Sequence, residues 1–292
     1  MRQLKNTLFT IILTLFGLMA FAQEEGKVFQ TFKDTRVINS HSTETLKAWY
    51  LDFRVGHRFG DIAGSRGGWQ TLYGLENASD ILIGFELGLS DRLMIGVNRT
   101  KGAGPLKQNV NTFLKYQLFR QTTDGKTPFT VTLLGTGSIS TMQASEDPET
   151  IQAFAKFSHR IAYTGHLLIG RKFSERFSLQ FGAGISHRNI VLDNDQNDFA
   201  FINAAARLQL AKWLGLIAEG TFTFSDLRTA DNGYYPALGV GFEIETGGGH
   251  VYQINLTNAT GIAETDFIPY TTSNWSDGEF RLGFTIARLF KI

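Results

Sequence analysis

FRLGFTIARLFKI, residues 280–292, decides how the rest of the chain is read. Phe280, Leu282, Phe284, Ile286 and Phe290 fall at every second position, with Arg281, Gly283 and Thr285 between them. A strand over this stretch therefore has one bulky apolar face and one small or polar face. Arg288 breaks the alternation. An aromatic-rich, alternating last strand that follows a run of similar strands predicts an all-β fold: a single antiparallel transmembrane β-barrel whose final strand closes against its first.

Upstream segments repeat the pattern. Ile81, Ile83, Phe85, Leu87 and Leu89 alternate with Leu82, Gly84, Glu86 and Gly88; Ser90-Asp91 then turns the chain, and Leu93, Ile95 and Val97 alternate back. A second hairpin of this type turns at Ser174-Glu175-Arg176, so GLSDRLMIGV and KFSERFSLQFG are weak internal repeats. Further strands are predicted from Leu46 and over residues 109–119, 129–141, 157–173, 199–210, 214–224, 235–244 and 251–258, for about twelve in all. Short connections (90–91, 122–126, 174–175, 211–213, 246–249) alternate with long ones (61–77, 101–107, 142–156, 189–198, 226–232, 259–277). Short periplasmic turns, longer outer loops and an even strand count are the pattern of an outer-membrane barrel.

The N-terminus predicts the compartment. Arg2 and Lys5, an apolar run from Leu8 to Phe21 and Ala20-Phe21-Ala22 read as a cleaved secretory signal peptide over residues 1–22. The apolar run is too short for a spanning helix, which needs about 20 residues. The chain has no Cys, so a lipid-modified cysteine and a disulfide framework are both excluded. Residues 23–45 are polar and aperiodic, and read either as a periplasmic leader or as a plug folded into the barrel, which then occupies residues 46–292. A net charge of +1 makes nucleic acid an unsuitable partner, while 31 Gly and 25 Phe suit a sheet with one bulky lipid face and one face that leaves room.

The segments TFKDTRVINSHSTETL, HRFGDIAGSRGG and LYGLENASDILIGFE together resemble the opening of a family of Gram-negative outer-membrane β-barrel proteins of unknown function. The resemblance runs through the C-terminal strand. It implies location and architecture, and brings no catalytic residues with it.

If the bulky aromatic parity faces lipid, Arg54, Arg58, Glu86, Lys115, His166, Glu219 and Glu243 face the interior. Two readings stand for these candidate lumen-lining residues. Opposite charges pair and hold the lumen closed, because a buried charge is costly without a partner; or they line a water-filled path and tune its selectivity. Trp49, Tyr73, Tyr163, Trp213, Tyr234, Tyr235, Tyr270 and Trp275 fall near strand ends or in loops, where amphipathic rings meet lipid headgroups.

Other chemistry is poorly supported. Asp193, Asp195, Asn197 and Asp198 have the spacing of a calcium loop, but Asp198 stands where Gly is needed and Ala204 where Glu is needed, so the stretch reads as a solvated acidic loop. The six His show no paired metal-ligand spacing, no G-x-S-x-G elbow occurs, and residues 102–105 and 247–249 lack the rest of any phosphate-binding pattern. No catalytic residue, cofactor or metal is expected. The expected function is an integral outer-membrane barrel, as a narrow channel for small solutes or a structural barrel, with outer-membrane lipid and the barrel-assembly machinery as partners. The alternatives are a soluble periplasmic or secreted β-barrel that binds a lipid or glycan, and an outer-membrane hydrolase.

Overall fold

The computed structural model describes residues 26–192 and 194–292; the predicted signal peptide and Asp193 lie outside the described residues. Among the described residues twelve strands form one closed antiparallel barrel: β1 (Tyr50–Asp61), β2 (Ala78–Ser90), β3 (Leu93–Lys101), β4 (Gln108–Phe119), β5 (Thr130–Ser140), β6 (Ile161–Lys172), β7 (Phe177–Arg188), β8 (Asp198–Ala211), β9 (Leu214–Phe224), β10 (Ala237–Glu245), β11 (His250–Thr257) and β12 (Arg281–Lys291). Each strand pairs with its sequence neighbours, and β12 closes on β1 from Tyr50↔Lys291 to Asp61↔Arg281. The closure leaves no unpaired sheet edge, which a membrane-embedded sheet requires.

Alternation decides which face each side chain takes. Outward positions carry exposed Ile81, Ile83, Phe85, Leu114, Leu133, Phe181, Ile202, Phe222, Phe242 and Ile254. Inward positions carry buried Asp52, Arg54, Glu86, Lys115, Thr132, Gln180, Asn203 and Gln253. The apolar surface thus lies outside and the polar surface inside, the inverse of a water-soluble barrel. Arg288 fits this arrangement. It projects outward near the short-turn end of β12, with its guanidinium 4.9 Å from the Phe290 ring, where a long cation reaches the headgroup level.

The predicted strand from Phe157 starts later. Phe157–Arg160 forms a 3-10 turn, and Arg160 folds back to donate to the Ser140 carbonyl at 3.1 Å while lying over the Phe154 ring. β6 therefore begins at Ile161. The long connection after β11 also departs from a plain outer loop. It contains a helix, α1 (Glu264–Tyr270), whose residues Glu264 to Pro269 are all buried.

Candidate functional site: a barrel interior filled from both ends

Residues 27–46 start and finish at the short-turn end of the barrel and run inside it between. Lys27 bridges to Thr122 in the β4–β5 turn, and Val28 N–H donates to the Gln121 carbonyl at 2.9 Å. The return leg ends where Thr45 Oγ1 donates to the Asp91 carbonyl and Trp49 N–H to the Gly88 carbonyl at 2.8 Å. Between these ties the chain makes a hairpin: Ser42 N–H donates to Thr35 O and Val37 N–H to Ser40 O, both at 2.9 Å, with Arg36 opposite His41. Every residue from Asp34 to Glu44 is buried. Glycine makes room at two close approaches. A Cβ at Gly88 would lie 2.1 Å from the Lys47 carbonyl oxygen, and one at Gly170 would lie 2.9 Å from Thr43 Oγ1.

The wall holds this hairpin mainly through its backbone. Lys115 Nζ donates to three of its carbonyls, Thr35, Ser42 and Glu44, at 2.9, 3.2 and 3.0 Å. Gln117 and Thr132 both donate to Thr43 O, Gln180 to His41 O and Gln253 to Arg36 O. Glu219 accepts from the other side, taking Asn39 N–H at 2.7 Å, Ile38 N–H at 3.2 Å and Ser40 Oγ at 2.7 Å. These contacts satisfy backbone groups that would be costly to bury unpaired.

Charge pairs add to the hold. Arg54 grips Asp34 with both terminal nitrogens, at 2.9 and 2.5 Å, and its Nη2 also donates to Asp52 at 2.8 Å. Glu86 lies 3.4 Å from both Arg54 Nε and Arg36 Nε, and accepts from Thr35 Oγ1 at 2.7 Å. A smaller apolar contact, Phe32, Val37 and Ile38 against Ala205 and Ile217, secures the opposite flank.

The other end is filled by residues 259–273. Arg58 donates to the carbonyls of Ala259 and Gly261 and to Asn39 Oδ1, so it touches both inserts. The inserts meet at Glu264, whose Oε1 is 3.5 Å from Arg36 Nη1 and 3.4 Å from His41 Nε2. α1 itself rests on an apolar cluster of Phe199, Phe201, Ala237, Ala259, Phe267 and Ile268. Two small cavities lie near this junction. One of about 10 Å³ lies by Arg36, Phe113 and Glu264, and one of about 20 Å³ by Asn109, Asp266 and Tyr270, each about the space of a single water.

The acidic loop is exposed at Asn194 and from Gln196 to Asp198, as expected, but the Asp195 side chain turns inward. Its carboxylate takes Arg188 at 2.7 and 3.1 Å and Arg228 at 2.8 and 2.9 Å. Burial pushes its pKa up, but the guanidinium hydrogen bonds of Arg228 and Arg188 outweigh burial and hold it well below the usual carboxylate range. Tyr270, predicted for the headgroup belt, instead accepts from Arg188 at 2.9 Å inside this network. Trp49, Tyr73, Tyr163 and Trp213 are exposed near strand ends or in loops.

All seven candidate lumen residues are buried on the inner wall. Arg54, Glu86, Lys115, Glu219 and Arg58 converge on the hairpin through the contacts above. Glu243 pairs instead with Arg207 at 2.8 Å, and His166 stands edge-on to the Phe201 ring at 4.6 Å between centroids. The sequence reading missed Asp34, Arg36 and Glu264, which lie outside the strands and so carry no parity signal. Asp52 and Arg207 do have inward parity and could have been found by it. Among the described residues no group of three or more His, Asp or Glu is placed to hold a metal ion.

A family model described as a membrane bound beta barrel domain (DUF5777) matches residues 32–290. The chain belongs to this family. The match to the membrane bound beta barrel domain begins at Phe32, so it takes in the inserted hairpin together with the barrel. Among solved structures, the chain is similar to the NanC porin, with 10% identity, a TM-score of 0.49, and coverage of 83% of this chain and 100% of that one. It is similar to the KdgM porin in complex with disordered oligogalacturonate, with 6% identity, a TM-score of 0.49, and coverage of 83% and 99%. It is also similar to the outer membrane channel DcaP of Acinetobacter baumannii, with 9% identity, a TM-score of 0.38, and coverage of 85% and 100%. A search of curated proteins found no match.

Proposed function

We propose that this membrane-bound barrel sits in the outer membrane, exported through a cleaved signal peptide over residues 1–22, with its short turns in the periplasm. We further propose that it is a gated channel for small polar solutes, closed in the conformation described by residues 27–46 acting as a plug. The observation that carries this reading is the chemistry of the hairpin–wall contact. It is made largely of hydrogen bonds and ion pairs between a polar hairpin and a wall bearing Lys115, Gln117, Thr132, Gln180, Glu219 and Gln253. Water can replace such contacts when the hairpin leaves, whereas an apolar seat would resist hydration. The emptied wall would present mixed charge to a solute, which is how a barrel lumen selects among small polar molecules.

Planar-bilayer conductance tests the reading, with heat-modifiability on a gel confirming that each sample is a folded barrel. The intact mature chain is expected to stay mostly closed. A variant lacking residues 28–45 is expected to give discrete current steps, which grow when residues 259–273 are also replaced by a short turn. A doubly shortened variant that folds and passes no current overturns the channel reading and leaves a structural barrel.

A further inference from the structure

The short-turn rim of the barrel is basic. Arg92, Arg120, Arg176, Lys212 and Lys291 stand around it with no carboxylate partner among the described residues. Its acids are fewer and mostly engaged: Asp91 takes Ala48 N–H at 2.9 Å, Asp124 pairs with Lys126 at 3.2 Å, Glu245 pairs with Lys33 at 2.6 Å, and Glu175 is exposed. The long-loop end is weighted the other way, with exposed Glu146, Asp147, Glu149, Asp226, Asp231 and Asp277 set against its lysines.

One cation on this rim is built differently. Arg171 has outward parity on β6, past Leu167 and Ile169 toward the turn, while its neighbour Lys172 turns inward to donate to the Phe29 carbonyl at 3.0 Å. The Arg171 guanidinium lies 5.5 Å from the Phe129 ring centre and 5.1 Å from that of Phe173, both exposed, and Phe173 leans on Phe177 with centroids 5.9 Å apart. An arginine packed on aromatic rings keeps in-plane donors for an anion. Its Nε is covered and unpartnered; the two terminal nitrogens stay open, and no carboxylate among the described residues reaches them. Arg288, by contrast, has a single ring beside it, that of Phe290. A charge on a lipid-facing wall is costly at the midplane and tolerated at the headgroup level, so Arg171 stands at the depth of lipid phosphates.

We propose that Arg171, with Phe129 and Phe173, forms a binding site for an anionic phospholipid, its phosphate on the two terminal nitrogens and its acyl chains against Leu133, Leu167 and Ile169. Those side chains continue the lipid-facing wall from the site toward the midplane: Leu133 pairs across strands with Leu167, and Val131 with Ile169. A guanidinium matches a phosphate in charge and shape, and its forked donors take two phosphate oxygens at once. A zwitterionic lipid brings an ammonium of its own to a rim already rich in cations, so a headgroup of net negative charge is selected. Assigning this lipid to the periplasmic leaflet rests on the orientation proposed above; the site itself rests only on the lipid-facing wall.

The test is native mass spectrometry of the folded mature chain, released from detergent micelles that hold equal amounts of dioleoylphosphatidylglycerol and dioleoylphosphatidylethanolamine, with heat-modifiability confirming the barrel in each sample. The anionic lipid is expected to be retained at least fivefold over the zwitterionic one. Arg171→Gln, a change on the outer wall that leaves the barrel interior untouched, is expected to lower that ratio at least threefold. Lys212→Gln, which removes an exposed cation elsewhere on the rim, is expected to leave it unchanged. Equal retention of the two lipids, an unchanged ratio in folded Arg171→Gln, or an equal loss in Lys212→Gln overturns the site, the last because attraction would then belong to the whole rim. Full displacement of the lipid by inorganic phosphate also overturns it, leaving a site for a free anion. Conductance is not the readout, so a barrel that never opens can still retain the lipid, and a barrel without lipid preference can still conduct.

Discussion

The two inserts that fill the barrel are held by different balances of polar and apolar contact. The hairpin from the short-turn end is fixed by polar contacts: Lys115 on three carbonyls, Glu219 on the tip and Arg54 on Asp34, with a small apolar flank. The segment from the long-loop end also has polar anchors, Arg58 on the Ala259 and Gly261 carbonyls and Asp80 on Ile262 N–H, but its helix is seated on aromatic and aliphatic side chains, Phe199, Phe201 and Ala237 under Phe267 and Ile268. Polar contacts made within the barrel exchange for contacts with water at modest net cost, while an apolar seat loses area with nothing in return. The difference teaches that two inserts can fill one barrel with different kinds of contact, and, on the plug reading proposed above, the polar one is the part expected to move.

Arg54→Met should break the comparison most. It leaves Asp34, Asp52 and Glu86 gathered around no guanidinium, and removing one partner of a buried ion network costs roughly 3–5 kcal/mol. The hairpin is expected to leave the lumen rather than bear that cost, so residues 34–44 become open to added protease while the barrel stays heat-modifiable. Unchanged proteolysis would mean that the polar contacts do not hold the hairpin.

Phe267→Ala tests the other insert. Truncating a buried Phe costs on the order of 3 kcal/mol. Denaturant unfolding should show that loss in barrel stability, with no gain in protease access to the hairpin. Exposure of both inserts together would show that they move as one through the Arg36–Glu264 contact.

Glu219→Gln sharpens the comparison at the tip. It keeps an acceptor oxygen but removes the charge that Ile38, Asn39 and Ser40 share, a change of about 1–2 kcal/mol. Amide exchange should rise at those three residues and stay level in α1.

The smallest effect belongs to pH. The folded pKa of Asp195 lies below its unfolded value, so its contribution is complete above the ordinary carboxylate range, near pH 4, and is lost as pH falls through the depressed native value. Protease nicking of the 189–197 and 225–236 loops should therefore be the same at pH 7 and pH 5 and rise only in stronger acid.

Much of the barrel was legible in the sequence because a lipid face imposes a period of two on every strand. Ile81 to Leu89 and Phe177 to Ile185 show it without interruption, and the inward placement of Arg54, Glu86 and Lys115 follows from the same parity. The helix within residues 259–277 was not legible. Its seven residues include Pro269 and are too few for a helical period to emerge, and α1 owes its place to the Phe199 and Phe201 surface beneath it.

By itself the sequence determined a chain that turns apolar side chains outward around a closed sheet, because alternation is a local property and the membrane demands it in every strand. Tertiary structure decided what fills the interior. A polar, aperiodic stretch such as Thr31 to Glu44 has the same composition whether it faces water or a polar wall. What distinguishes the two is the set of partners brought to it from β1, β2, β4, β9 and β11, and those meet the hairpin only once the barrel has closed.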